Sequence, residues 1–201
     1  MATIAIVAGC GANTASPGAQ SSTTGNGGTV ASGANDGNAP TGGDAANGEA
    51  NTGEAPSVPF ESPKYHYKVA APGAMTEAAD GTATAHFGAE ALSITVVSGA
   101  TAANPEAVAK GDMVTVASLP NFKLKSGPAP TKLTASSSAQ KAVYSGTDGT
   151  NAVTGKPNNV VVVKYWVPKD ASTLAVLTYS VTETQYDPQG ADDVANTFKW
   201  L

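Results

Sequence analysis

Large apolar side chains are spread unevenly along this chain. Residues 4–8 form a short apolar run, and from residue 11 to residue 57 the sole large apolar residue is Val30. Beyond that point apolar positions return at the spacings of regular structure. Tyr65, Tyr67 and Val69 alternate with His66 and Lys68, the period of two of a half-exposed strand, which Ala71-Pro72-Gly73 ends. Two more strands are predicted at residues 82–88 and 91–97. Phe87 anchors the first, Leu92, Ile94 and Val96 pattern the second, and Gly88-Ala89-Glu90 joins them as a hairpin.

Asn104-Pro105-Glu106 then reads as a helix start, with a capping side chain, Pro at the first helical position and an acid in the first turn. Val108, Ala109, Met113 and Val116 give it an apolar stripe, Gly111 weakens it, and Leu119-Pro120 closes it. Short strands follow at Phe122 and Leu124, at residues 132–134 and at 140–145, with a turn at Pro128 and Pro130 and opposite faces served by Val143 and Tyr144. Residues 147–159 read as a loop. Residues 160–167 carry Val on both faces, as a strand with layers on each side requires. Residues 174–181 return as its antiparallel partner. Asp187-Pro188 opens a last helix, in which Ala191, Val194, Ala195, Phe198 and Leu201 form the core-facing stripe and Asp192 and Asp193 lie near the positive end of the dipole. Strands, helix, strands, helix predict an α+β fold: an antiparallel β-sheet with helices packed on it.

Composition divides the chain further. Eleven of its 22 glycines fall in residues 11–57, and every aromatic residue lies beyond them. Residues 11–57 cannot bury enough apolar surface to offset chain entropy, so they read as a disordered Gly/Ala/Asn/Ser/Thr linker, with a root-mean-square span of roughly 35–40 Å. Residues 58–201 hold the apolar complement of one domain, close to the commonest domain size.

The formal net charge is −5. Asp36, Asp44, Glu49 and Glu54 lie in the linker, which leaves twelve acids beyond it against eleven lysines; the chain has no arginine. A near-neutral domain without a basic block has no electrostatic footprint for nucleic acid. It also lacks the bidentate guanidinium clamp for phosphate or carboxylate.

Cys10 is the one cysteine, and Val7-Ala8-Gly9-Cys10 resembles the lipobox of bacterial lipoproteins. In those proteins the cysteine thiol receives a diacylglycerol and the leader before it is removed. No Lys or Arg stands between Met1 and Cys10, and the apolar run is shorter than the roughly 7–15 residues of a working leader. Residues 1–10 are therefore expected to be a signal segment whose basic part lies upstream. The alternative is a buried first strand with a free core cysteine. The long stretch without core formers that follows favours the lipobox. Acyl chains such as palmitate on Cys10 would anchor the chain to the extracytoplasmic face of the cell membrane, each buried CH₂ contributing about 0.8 kcal/mol.

Candidate chemistry elsewhere is sparse. His66 and His86 are the only histidines, and no His or Cys near them completes a metal set. No Ser sits in a G-x-S-x-G elbow. Gly149 to Lys156 departs from a phosphate loop in its glycine spacing and in Pro157, which stands where a Ser or Thr would hold magnesium. Tyr165, Trp166, Tyr179 and Tyr186 are candidates to line a ligand groove near the last hairpin; the alternative is alternating core and edge aromatics.

The strand closed by Ala71-Pro72-Gly73, the helix running into Leu119-Pro120-Asn121-Phe122, the strand at Ala142-Val143-Tyr144, the long hairpin and the final helix with Thr197-Phe198-Lys199-Trp200 share a layout. That layout resembles bacterial lipoproteins of the LpqN type, within the PsbP-like fold, over roughly residues 60–201. The resemblance implies an accessory or binding domain on a lipid tether, and brings no catalytic residues with it. The expectation is a non-catalytic, lipid-anchored envelope protein without cofactor or metal. Its partners would be the membrane through Cys10 and a protein, glycan or apolar ligand. The alternatives are an envelope hydrolase using His66 or His86, and a purely structural spacer.

Overall fold

The structure, a computed structural model, describes residues 57–150 and 154–201. Cys10, the signal segment and all of the linker except Ser57 lie outside the described residues. The elements are β1 (Val58–Ser62), β2 (Tyr67–Ala71), β3 (Met75–Glu77), β4 (Ala83–Phe87), β5 (Glu90–Ser98), α1 (Pro105–Val116), β6 (Lys123–Leu133), β7 (Ser136–Thr150), β8 (Pro157–Asp170), β9 (Thr173–Thr182), α2 (Pro188–Thr197) and β10 (Lys199–Trp200). Every strand pairing is antiparallel. A seven-stranded sheet runs β3-β4-β5-β9-β8-β7-β6, and a three-stranded sheet runs β1-β2-β10. The expected α+β fold, an antiparallel sheet with helices packed on it, is what the chain forms.

The valine run of β8 explains the layering. Val161, Val163, Tyr165 and Val167 join the core shared with α2 and the small sheet, where Ala191, Ala195, Tyr67 and Val69 meet them. Val162 and Trp166 face the other way, into a second core with Ala109, Met113 and Val116 of α1. Side chains alternate across a strand, so only a strand apolar at both parities can serve two layers. β9 pairs with β8 from Val160↔Thr182 to Asp170↔Thr173, as the pattern predicts.

Several boundaries differ from the sequence reading. β2 starts at Tyr67, because His66 takes φ 55 in a turn after β1, where the Tyr65 N–H donates to Ser62 Oγ. β1 and β3 have no counterpart in the apolar pattern; both are short, and β1 carries Pro59 at a sheet edge, where a missing N–H breaks no ladder. The turn expected at Pro128 and Pro130 is corrected: both lie inside β6, the other kind of place that tolerates them, an edge strand with interrupted register against β7. The loop expected at 147–159 is strand at residues 147–150 and 157–159, with Thr147↔Asn159 and Thr150↔Pro157 extending the β7–β8 pairing. Leu201 lies past the end of α2, half-exposed, because Lys199 and Trp200 turn away to pair with β2.

Candidate functional site

Both helices start as their sequences dictate. Asn104 Oδ1 accepts the Ala107 N–H at 3.0 Å, and Asp187 Oδ1 accepts the Gln189 N–H at 3.0 Å, with Pro following each cap. Asp192 and Asp193 are not first-turn acids; they lie one turn further along α2, and Asp187 holds the position at the dipole's positive end. Asp192 instead receives the Tyr165 O–H at 2.7 Å and the Lys141 ammonium at 2.6 Å, and that ammonium also stands 5.5 Å from the Tyr165 ring centroid.

The four candidate groove aromatics divide between the two cores. Tyr165 and Tyr179 are buried in the α2-side core, with Tyr186 packed against it. Trp166 faces α1. Burial pushes the Tyr165 phenol well above its usual range, and Asp192 adds to the effect; burial, then Glu90, does the same to Tyr179. None of the four lines either cleft described below. His66 and His86 are both exposed, and neither side chain makes a hydrogen bond or ion pair among the described residues. No group of three or more His, Cys, Asp or Glu is placed to hold a metal ion among the described residues.

The α1 side of the sheet carries an unusual row of polar groups. Lys164 on β8 is 4% exposed and donates to Asp112 of α1 at 2.5 Å. Its ammonium stands 5.7 Å from the centroid of the Trp166 ring. Trp166 pairs in register with Gln140 of β7, which is 7% exposed. The Gln140 Oε1 and the Trp166 Nε1–H are buried without a hydrogen-bond partner. A buried polar group left unpaired costs about 1–3 kcal/mol, so a natural sequence keeps one where something else offsets the cost.

Gln140 lines a cleft of about 890 Å³. Its walls are the start of α1, the β6–β7 turn, the start of β7 at Ser136, Ser137 and Ser138, and the end of β8 at Pro168, Lys169 and Asp170. Two carboxylates stand at the rim and both are held below the usual carboxylate range. The Lys110 ammonium does this for Glu106, and the Ser172 N–H and hydroxyl do it for Asp170. The Lys169 ammonium is drawn over the Trp200 ring, 5.1 Å from its centroid. A second cleft, about 580 Å³, lies between β1, β2 and the end of α2 and includes Phe60 and Val69. Thr134 at the β6–β7 turn lines both clefts, and its N–H and hydroxyl donate to Asn196 Oδ1 at 3.1 and 3.4 Å.

This arrangement is suited to holding a molecule. Ser136 and Ser138 share a hydroxyl–hydroxyl hydrogen bond and the Ser138 N–H donates to Ser136 Oγ; among the described residues neither hydroxyl is bonded to a His, Asp or Glu that would activate it. Gln140 is the first residue of the strand predicted at 140–145. The signal was there: Gln140 shares its strand parity with Ala142 and Tyr144, so a polar side chain occupies a core-facing position.

No family model matches this chain, and no curated protein sequence does. Solved structures do. They include the Ran-binding protein Mog1p of Saccharomyces cerevisiae, with a TM-score of 0.47 and 10% identity over 73% of this chain and 96% of Mog1p. They also include LpqN, involved in cell envelope biogenesis of Mycobacterium tuberculosis, with a TM-score of 0.36 and 15% identity over 66% of this chain and 69% of that one. Neither likeness is deep enough to carry an inference about family or function.

Proposed function

We propose that this chain is a non-catalytic binding protein of a bacterial envelope, lipid-anchored at Cys10, with its binding seat in the cleft at the start of α1. One observation carries the binding reading: Gln140 lines a polar cleft while its Oε1 is buried and unpaired. Support for the anchor comes from the sequence alone, in Val7-Ala8-Gly9-Cys10 and the coil-like composition after it. The competing reading, a hydrolase built on His66 or His86, draws no support from either residue, since both are exposed and neither side chain has a polar partner among the described residues. Two experiments test the proposal. Expressed behind a functional leader, the chain should fractionate with membranes and carry a lipid mass on Cys10, and Cys10→Ser should release it; a membrane-bound Cys10→Ser variant overturns the anchor. Native mass spectrometry of the full chain should show a co-purifying small molecule that Gln140→Leu loses; retention of that molecule by the variant overturns the seat.

A further inference from the structure

The three-stranded sheet sets three charged side chains in one row. Glu61 of β1 pairs in register with Lys68 of β2, and Lys68 pairs with Lys199 of β10. Tyr67 and Val69 turn inward to the core, so Lys68 and its register partners belong to the outer face, and all three are exposed. Two ammoniums therefore stand side by side, an arrangement that destabilises a strand pair when nothing neutralises it. Neither lysine makes an ion pair, a hydrogen bond or an aromatic contact among the described residues. Glu61 stands on the far side of Lys68 from Lys199, two strand spacings or about 9.5 Å from the second lysine's strand.

This row lines the second cleft, whose volume of about 580 Å³ lies within the roughly 300–1,000 Å³ of small-molecule pockets. Asn196 lines it too, and its orientation is fixed. The Thr134 N–H can only donate, so the atom it meets at 3.1 Å is the Asn196 oxygen. The Asn196 NH₂ is left as a donor without a partner among the described residues. The Thr197 hydroxyl is spent on the backbone: it accepts the Ala70 N–H at 2.9 Å and donates to the Val194 carbonyl at 2.7 Å. Among its side chains the cleft therefore offers Lys68, Lys199 and the Asn196 amide as unspent donors, against the single carboxylate of Glu61. Pro59, Phe60 and Ala70 supply apolar wall.

We infer that this cleft binds a small oxyanion, a carboxylate or a phosphate, carried on a compact apolar body. The oxyanion seats between the Lys68 and Lys199 ammoniums and relieves their repulsion through charge-assisted hydrogen bonds. The Asn196 amide donates to the same ligand, and the apolar body lies against Pro59, Phe60 and Ala70. A cation would meet two like charges, and a neutral molecule would leave the lysine pair as it is. The seat shares only Thr134 with the cleft at the start of α1 and is tested independently of it.

Nuclear magnetic resonance on the full ¹⁵N-labelled chain tests this, because the Asn196 side-chain NH₂ and the backbone N–H groups of Lys68 and Lys199 report on the site itself. The probes are 3-phenylpropanoate for the carboxylate and phenyl phosphate for the phosphate. The controls are 3-phenylpropanamide, 2-phenylethylammonium and acetate. Saturable shifts of the three reporters are expected with the two aryl anions, and the tighter of them identifies the oxyanion. Lys68→Met and Lys199→Met should each weaken that binding roughly threefold, the yield of one exposed charge pair, and the double variant roughly tenfold. Glu61→Gln should tighten it roughly twofold, because it removes the one repelling charge. The lysine variants should keep their thermal transition, since they relieve a like-charge pair on an exposed face. Binding of the amide as tight as that of the carboxylate, or binding of the ammonium in their place, would overturn the oxyanion. Acetate binding as tightly would overturn the apolar body. No shift with any probe, or unchanged binding in the double lysine variant, would overturn the inference as a whole.

Discussion

Lys164 shows how a buried charge depends on a single partner. Its ammonium is buried beneath α1, and Asp112, only partly exposed, is its ionic partner. Removing one member of such a pair strands the other, which is far more costly than replacing both with apolar groups of similar size. Asp112→Ala should therefore destabilise the chain by about 3 kcal/mol, while the double variant Lys164→Met/Asp112→Leu should stay within about 1 kcal/mol of the parent. Urea midpoints of the three proteins check this; a double variant no better than Asp112→Ala would show that the pair itself holds α1. Residues of this kind were hard to read from sequence. Lys164 interrupts a run of valines and aromatics, which marks it as unusual, yet nothing in the linear order points to a partner 52 positions away on a helix. The role of Asp192 is hidden for the same reason: its nearness to a helix start is visible in the sequence, and the Tyr165 and Lys141 groups that bond it are not.

At the scale of elements, α1 and β6 place their glycines under opposite constraints. Gly111 lies mid-helix on an exposed face, and a methyl group there would meet no atom within 4 Å. Gly111→Ala should stabilise the chain by about 0.5–1 kcal/mol, because alanine loses less backbone freedom on folding. Gly127 in β6 has φ 77, and an added Cβ would collide with the Lys141 carbonyl across the strand pair. Gly127→Ala should lower stability by more than Gly111→Ala raises it. Thermal or urea unfolding of the two variants decides; a Gly127→Ala protein as stable as the parent would mean that β6 shifts freely at its bulges. The strong elements were legible in advance. The β8–β9 hairpin, the β4–β5 hairpin and both helix starts follow from periodicity and capping chemistry alone. β6 was not, because proline reads locally as a turn and only the position of a strand at a sheet edge makes it harmless.

For the whole molecule, stability at high pH follows from the two cores. Tyr67, Tyr144, Tyr165 and Tyr179 all have phenols raised above their ordinary value near 10, in each case chiefly by burial. Below about pH 10 these phenols are protonated in both the folded and the unfolded chain and add no pH dependence. Above it the unfolded chain releases protons that the folded chain keeps, so stability falls as pH rises. Urea midpoints should drop between pH 9 and pH 11, with tyrosinate absorbance appearing together with unfolding. Tyr165→Phe should make the drop shallower. Phenols that titrate fully while the chain stays folded would contradict the burial argument.

The sequence by itself determined the fold class, the strongest hairpins, both helix starts and the apolar parity that makes β8 serve two layers. Each depends on neighbours a few positions apart: a cap and the N–H it accepts, a period of two, a turn that needs Gly. The tertiary structure alone decided that Trp166 and Tyr165 face opposite cores, that Lys164 finds Asp112, and that Gln140 lines a cleft with its oxygen buried and unpaired. These are meetings of groups far apart in the chain, set by strand order and register, and they leave the Gln140 oxygen buried behind the cleft that the residue lines. A linear pattern records which side chains must be buried, and the packing of layers determines which of them meet.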